Sequence, residues 1–225
     1  MDFKYKIDKT TGINIENKVL QTSFQYVIVG PPESGKSSLV VNLIRDPRCY
    51  LQKFDEILFI TPTPFGKELI QLEEGVNWYK SFSPSWLSEK INEFEQINKK
   101  EKEIENILVV IDDCAGQLKS YEKDVIFNEL VYNRRHYKEF NISLILVVQK
   151  WNLIPLSWRV MTTGLFLFRV PAKQFDEIFK EVIINNPPCF KKMFVLETKI
   201  NPHAFYFINN LNNKIYNNKL TEVFL

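Results

Sequence analysis

Residues 24–38 constrain the fold of this chain more than any other stretch. Residues 26–29 form an apolar run typical of a short buried strand, and residues 39–44 place apolar side chains at helical spacing. Between them, Gly30 and the triplet Gly35-Lys36-Ser37 have the G-x-x-x-x-G-K-[ST] spacing of a P-loop. Because this motif needs a strand before it and a helix after it, its context predicts an α/β fold with a phosphate-binding loop.

The residue types in this loop suit the binding of an anion. Gly30 and Gly35 let the backbone curl where a Cβ would obstruct it, so that successive N–H groups and the positive end of the helix point at phosphates. Lys36 can reach the β- and γ-phosphates, and the Ser37 hydroxyl can ligate Mg²⁺. The predicted ATP-binding residues are Gly30, Pro31, Pro32, Glu33, Ser34, Gly35, Lys36, Ser37 and Ser38.

A second apolar run, residues 107–111, ends in the two carboxylates Asp112 and Asp113. A buried parallel strand delivers its last side chains to the carboxyl edge of the sheet, where ligands of open α/β folds bind. We expect Asp112 to hold the Mg²⁺ shell and Asp113 to orient or deprotonate the attacking water. A solvated strand end is the structural alternative, and the preceding P-loop disfavours it.

Residues 121–137 form a predicted helix that ends in Arg134, Arg135 and His136. In an alternating β/α chain this helix runs antiparallel to the strands, so its C-terminus lies at the edge away from its own P-loop. Arg134 or Arg135 is therefore a candidate arginine finger that acts on a neighbouring subunit. Cations that complement the helix C-terminus are an equally good interpretation of the same residues.

The apolar run that begins at Asn141 predicts a further buried strand, which ends in Gln149. If this strand lies between the P-loop strand and the Asp-Asp strand, its terminal amide can sense the γ-phosphate or position water. A simple turn residue is the alternative.

The other segments complete an alternating pattern without an internal repeat. We expect an N-terminal arm or hairpin over residues 1–23 and one ATPase domain over residues 24–225. Within that domain the pattern predicts strands at 56–61 and 164–169, an aromatic excursion at 62–85, helices at 84–106 and 172–184, and a closing pair of strands at 194–197 and 204–208.

Composition excludes several classes of protein. The net charge of +2 over 225 residues rules out a generally basic nucleic-acid binder, so contact with DNA needs a local patch or several converging subunits. Three dispersed cysteines and two histidines form neither a disulfide framework nor a zinc pattern. No apolar run approaches the roughly 20 residues of a membrane span.

Taken together, the motifs resemble those of the FtsK–HerA superfamily of ring-forming DNA-pumping ATPases, and more narrowly the poxvirus-type genome-packaging ATPases of large DNA viruses, virophages and related transposons. The resemblance covers about residues 24–208. Arg135-His136 and Gln149, in addition to the P-loop and Asp-Asp strand, select this branch. Relatives often have glycine where this chain has Arg134, so either arginine remains a candidate finger.

The resemblance implies a three-layer RecA-like fold with a mainly parallel sheet and helices on both faces. It also implies a Mg²⁺-dependent ATPase that threads double-stranded DNA into a preformed capsid, as a ring of five or six subunits at a capsid vertex or portal. The catalytic residues it implies are Lys36, Asp113, Arg134 or Arg135, and Gln149, with Ser37 and Asp112 as metal ligands. The implied location is the host cytoplasm, at the viral factory, and the virion.

Three alternatives belong to other functional classes. A DNA-transfer or segregation pump of the same superfamily is the nearest of them. A small-molecule kinase needs an acceptor pocket and a lid, which only residues 65–82 could provide. A GTPase needs an Asn-Lys-x-Asp motif, and the nearest match, residues 98–101, lies in a charged helical run before the Asp-Asp strand.

Overall fold

The computed structural model describes residue 20 and residues 23–62, 76–101, 104–182 and 187–224. Most of the predicted N-terminal arm and residues 63–75 of the aromatic excursion lie outside these ranges. The strands are β1 (Gln25–Val29), β2 (Glu56–Ile60), β3 (Val76–Tyr79), β4 (Asn106–Asp112), β5 (Asn141–Val148), β6 (Gly164–Phe168), β7 (Phe205–Asn209), β8 (Lys214–Tyr216) and β9 (Glu222–Val223). The helices are α1 (Lys36–Arg45), α2 (Pro84–Glu101), α3 (Ala115–Leu118), α4 (Val125–Asn133), α5 (Leu156–Arg159), α6 (Ala172–Glu181) and α7 (Pro187–Ile200), with 3₁₀ turns at Lys119–Tyr121 and Trp151–Leu153.

These strands form one sheet in the order β3-β2-β4-β5-β1-β6-β7-β8-β9. The first six are parallel, whereas β7, β8 and β9 are antiparallel to their neighbours. The sheet is therefore mixed, and the expectation of a mainly parallel sheet is corrected. The reason is local: α7 returns the chain to the edge where β6 ended, so that β7 can only run back beside it.

Side chains alternate between the two faces of the sheet because successive residues of a strand point in opposite directions. Val27 packs in one core with α2, α4, α6 and α7. Its neighbours Tyr26 and Ile28 pack in a second core with α1 and with Tyr50. Helices thus cover both faces, as expected for strands that are apolar along their whole length.

Helix α7 replaces one of the predicted strands. Residues 194–197 were predicted to pair with 204–208, but they belong to a helix of 14 residues. Its buried residues Phe190, Phe194 and Thr198 recur every four positions, which is a helical period. Pro187 and Pro188 begin this helix, at positions where no helical N–H is needed. The closing hairpin is formed by β7 and β8.

The helices predicted at 84–106, 121–137 and 172–184 are present and differ from the prediction at their ends, whereas the short helices α3 and α5 were not predicted. Helix α4 begins only at Val125, because Asp124 accepts a hydrogen bond of 2.8 Å from the Phe127 N–H and caps it. At α2, the Ser83 hydroxyl accepts from the Trp86 N–H at 3.4 Å. Within the described ranges, none of the helices combines the length and apolar composition needed to cross a lipid bilayer.

We expect Gly164→Ala to lower the free energy of unfolding by about 2 kcal/mol, the usual cost of overfilling a packed core. A Cβ there would lie 2.6 Å from the Phe207 ring and 2.8 Å from the Tyr26 ring. Urea denaturation measures the change. Gly116→Ala is the control, since its added Cβ meets nothing within 4 Å, and it should stay within about 0.5 kcal/mol of wild type. Equal stability of the two variants would contradict this account of β6 packing.

Candidate nucleotide-binding site

The P-loop joins the carboxyl end of β1 to the first residue of α1, and its two glycines are required for different reasons. Gly35 lies in the left-handed region (φ 97°), which a side chain would strain. Gly30 needs to be small, because a Cβ there would lie 2.6 Å from Phe168 Cβ and 2.7 Å from Ser34 Oγ. The backbone conformation therefore requires glycine at position 35, and the packing against β6 requires it at position 30.

Lys36 reaches across the mouth of this loop. Its Nζ donates a hydrogen bond of 2.6 Å to the Pro31 carbonyl. Burial lowers the pKa of the Lys36 ammonium, while the charges of Asp112 and Asp113 act in the opposite direction. The lysine is therefore close enough to both carboxylates for their negative charges to raise its pKa.

Asp112 is the last residue of β4 and is buried beside α1. Burial raises the pKa of its carboxyl group, and the Asp113 charge adds to this effect. A hydrogen bond from the Ser37 hydroxyl and the charge of Lys36 oppose it. Ser37, near the start of α1, therefore lies close enough to Asp112 to influence its carboxyl group.

This oxygen pair suits Mg²⁺, which binds through one or two protein oxygens and keeps its remaining positions for phosphates and water. Among the residues that the structure describes, no group of three or more His, Cys, Asp or Glu side chains could hold a metal ion.

Gln149 and Asp113 meet at the same edge. Strand β5 lies between β4 and β1, and the Gln149 Nε2 donates a hydrogen bond of 3.2 Å to Asp113 Oδ1. Both side chains are exposed. Asp113 has a positive φ of 56°, a conformation that Asp tolerates better than most residues, and the turn it makes ends β4 at the site.

The two arginines lie at the opposite edge of the sheet. The Arg134 carbonyl accepts a hydrogen bond of 2.8 Å from the Ile142 N–H, at the start of β5. Arg134 is only 4% exposed and donates to the Val131 carbonyl at 3.2 Å. Burial and the neighbouring charge of Arg135 lower the pKa of the Arg134 guanidinium. Arg135 itself is exposed, so the two residues are not equivalent.

Arg159 has a structural partner within its own chain. Its Nη1 donates to the Glu181 carboxylate at 2.6 Å, and its guanidinium lies 5.7 Å from the centre of the Trp151 ring. Trp151 Nε1 donates to the same carboxylate. This network ties the loop after β5 to the end of α6.

His203 was not predicted as a site residue, yet it touches the P-loop. It lies in the turn between α7 and β7, and its Nδ1 is 3.2 Å from the Ser34 carbonyl. No sequence motif marks it, because 169 residues separate the two positions. Only the pairing of β7 with β6 brings them together.

A P-loop between strand and helix, with a carboxylate-ending strand two positions away in a parallel array, defines the class of P-loop nucleoside triphosphatases. The model of the "Poxvirus A32 protein" family matches residues 14–219 of this sequence. The chain therefore belongs to the poxvirus A32 protein family, which confirms the poxvirus-type branch predicted from the sequence. Among curated protein sequences, none matches the chain significantly.

Solved structures share the fold at low sequence identity. B204, the DNA-packaging ATPase from Sulfolobus turreted icosahedral virus, is 13% identical with a TM-score of 0.64 over 87% of this chain and 97% of that chain. The B204 genome-packaging NTPase of Sulfolobus turreted icosahedral virus 2, in complex with AMPPCP, is 13% identical with a TM-score of 0.62 over 90% and 99%. The pCW3 conjugation coupling protein TcpA is 16% identical with a TM-score of 0.51 over 83% and 57%.

We expect Asp112→Asn to stabilise the nucleotide-free protein at pH 7.5 by about 1 kcal/mol, as is common when an active-site charge is removed. The folded-state pKa of Asp112 is raised, so its ionised form costs stability at neutral pH. The wild type should recover stability as the pH falls and the carboxyl group becomes protonated, which narrows the difference at pH 4.5.

Urea unfolding at the two pH values measures this effect. Asp113→Asn is the matched control, because it removes an exposed carboxylate at the next position and should change stability by less than about 0.5 kcal/mol. A gap between Asp112→Asn and wild type that does not narrow at low pH would contradict the assignment.

Proposed function

We propose that this protein is a Mg²⁺-dependent ATP hydrolase that drives double-stranded DNA into a preformed viral capsid. The position of Asp112, at the end of β4 and close to Ser37 at the junction of the P-loop with α1, is the observation that carries the enzymatic part. Membership of the poxvirus A32 protein family supports the packaging role. The printed descriptions of the similar B204 structures, a DNA-packaging ATPase and a genome-packaging NTPase, agree with it.

The chain provides the groups that ATP binding requires. The N–H groups of the loop, together with the N-terminus of α1, complement the phosphate charge. Lys36 exchanges its contact with the Pro31 carbonyl for the β- and γ-phosphates. Ser37 and Asp112 would hold Mg²⁺, which neutralises charge on the phosphate oxygens when bound.

Asp113 and Gln149 are placed to act on the attacking water. In hydrolysis the water oxygen bonds to the γ-phosphorus, the bond to the β-γ bridging oxygen breaks, and ADP and phosphate leave. The Asp113 carboxylate accepts the water proton, and the Gln149 amide, already bonded to that carboxylate, holds it and the water in line.

Arg135 acts across a subunit interface. The eight residues of β5 put roughly 25 Å between the arginines and the P-loop edge of the same chain. Arg135 is exposed and can meet the nucleotide of a neighbour, whereas Arg134 is buried and bonded to its own helix. We therefore assign the finger to Arg135 and a structural role to Arg134.

Assembly as a five- or six-membered ring fits the surface around Arg135. Arg134, Arg135 and Arg159 line a cavity of about 380 Å³ together with the apolar residues Val160 and Met161. Val160, the residue that follows α5, is 71% exposed and offers an apolar contact beside these cations. In such a ring of RecA-like, three-layer domains, each subunit with its net charge of +2 needs to present only a few cations to DNA in a shared pore.

The packaging role requires the capsid vertex or portal as a partner. The protein would then act in the host cytoplasm and the virion.

A DNA-transfer or segregation pump of the FtsK–HerA type is the second candidate. The fold shared with the TcpA coupling protein favours it. Both candidates predict ATP hydrolysis coupled to DNA, and they differ in whether a capsid is needed for transport.

We expect the purified protein to hydrolyse ATP and long double-stranded DNA to stimulate the rate at low salt. Stimulation should fall steeply as salt rises, because phosphate contacts release counterions. Lys36→Ala should abolish hydrolysis under every condition. Hydrolysis sustained by Lys36→Ala would overturn the P-loop assignment, and a rate indifferent to DNA at low salt would count against a DNA motor.

We expect Arg135→Ala to lose at least about 10³-fold in hydrolysis rate, the usual contribution of an arginine finger, and to retain ATP binding. Mixing it with Asp113→Asn subunits should restore activity, since an intact Asp113 then faces an intact Arg135 of the neighbour. Mixing it with an Asp113→Asn/Arg135→Ala double variant is the control and should restore nothing. Absence of rescue in the first mixture, at all ratios, would argue against action in trans.

A further inference from the structure

The unit formed by β6, β7 and the turn before β7 contacts the P-loop at both of its ends. At the first end, Phe168 of β6 lies against Gly30, and its ring is 5.3 Å from that of Phe205 on β7. At the second end, His203 meets the carbonyl of Ser34. The antiparallel edge of the sheet is thus in direct contact with the predicted phosphate site.

The contact between His203 and Ser34 has a defined direction. A carbonyl oxygen only accepts hydrogen bonds, so the His203 Nδ1 must carry the proton that it donates over 3.2 Å. The bond therefore forms with the neutral Nδ1–H tautomer and with the charged imidazolium alike.

This bond fixes the orientation of a peptide group that the P-loop depends on. In a trans peptide the C=O and the following N–H point in opposite directions. Because His203 holds the Ser34 carbonyl on one side of this peptide, the Gly35 N–H is directed to the other side. Gly35 needs such an anchor, because glycine populates positive and negative φ about equally and leaves the peptide plane free to rotate.

The turn that carries His203 is itself well defined. The His203 N–H donates to Asn201 Oδ1 at 3.0 Å, and the Ala204 N–H donates to the Asn201 carbonyl at 3.0 Å. Pro202 restricts φ between them. Ala204 is completely buried, and β7 begins at the next residue. The imidazole is therefore presented by a rigid turn, at a low cost in conformational entropy.

We propose that His203 is a positioning residue for phosphate binding: it holds the Ser34–Gly35 peptide so that the Gly35 N–H faces the phosphates. The proposal rests on the proposed function, since it concerns the same nucleotide site. It adds a residue that no P-loop motif contains. It also makes phosphate binding depend on the antiparallel edge of the sheet, because His203 directly precedes β7.

Binding of ATP and of inorganic tripolyphosphate by the full chain, followed by titration calorimetry, tests this role. We expect His203→Ala to raise both dissociation constants about tenfold, as the loss of one positioned hydrogen bond does. His203→Asn should stay within about threefold of wild type, because the Asn amide places an N–H close to the position of Nδ1. His136→Ala, at the exposed histidine of the opposite edge, is the matched control and should bind both ligands as wild type does.

Tripolyphosphate separates positioning from direct contact with the base or ribose. If only ATP binding weakens in His203→Ala, the imidazole touches the nucleoside and the proposal is wrong. It is also wrong if His203→Ala binds both ligands as tightly as wild type, or if a folded His203→Asn is as weak as His203→Ala. Thermal melting shows whether His203→Ala is folded. If it is not, the binding of both ligands by folded His203→Asn, compared with wild type, provides the test.

Failure of the underlying function looks different. A wild-type chain that binds neither ATP nor tripolyphosphate, or a Lys36→Ala variant that binds both as well as wild type, overturns the nucleotide site itself. A wild-type chain that binds both, with binding lost in Lys36→Ala and unchanged in His203→Ala, overturns the role of His203 alone.

Discussion

The pairing of β4, β5 and β1 fixes where the groups at the P-loop edge lie. Asp112 is in register with Val147, and Val148 is in register with Val29. The three strands therefore end within one residue of one another, and whatever follows each of them meets at one edge. A shift of one residue in either pair would turn the terminal carboxylate to the other face of the sheet. The long apolar runs of these strands make a change of register energetically unfavourable. They therefore also bring the residues of the site together.

The same arrangement places the charged side chains of Asp112 and Lys36 in surroundings that disfavour their ionised forms. Burial raises the pKa of Asp112 and lowers that of Lys36, so each group is held in an environment that disfavours its ionised form. The opposite charges offset part of this cost, and the Ser37 hydroxyl offsets more. Such a cluster does not improve the packing of the unliganded protein. It is what a site for phosphates and a hard cation requires, since both then meet preorganised partners in a partly desolvated setting.

The sheet also separates two chemically different edges. The P-loop and the carboxylates lie at one, and the arginine pair lies at the other, where β5 begins. No rearrangement within one rigid sheet brings these edges together. Arg134 is buried and Arg135 is exposed, so two adjacent, identical side chains have different surroundings. In the ring that we propose, the P-loop edge of a second copy lies against the exposed arginine, and both edges contribute to one reaction.

The sequence by itself determined the P-loop, the Asp-Asp strand, the strand that ends in Gln149 and the family, because these features are local patterns with a fixed spacing. It failed where distant segments decide the outcome. The antiparallel edge depends on where α7 returns the chain. Residues 194–197 alone resemble a strand, but the burial of Phe190, Phe194 and Thr198 on one face shows that they belong to a helix. Which arginine is exposed, and that His203 meets Ser34 across 169 residues, follow from packing against other elements. Only the tertiary structure could decide them, because burial and long-range hydrogen bonds are properties of the folded neighbourhood, whereas a motif records only its own residues.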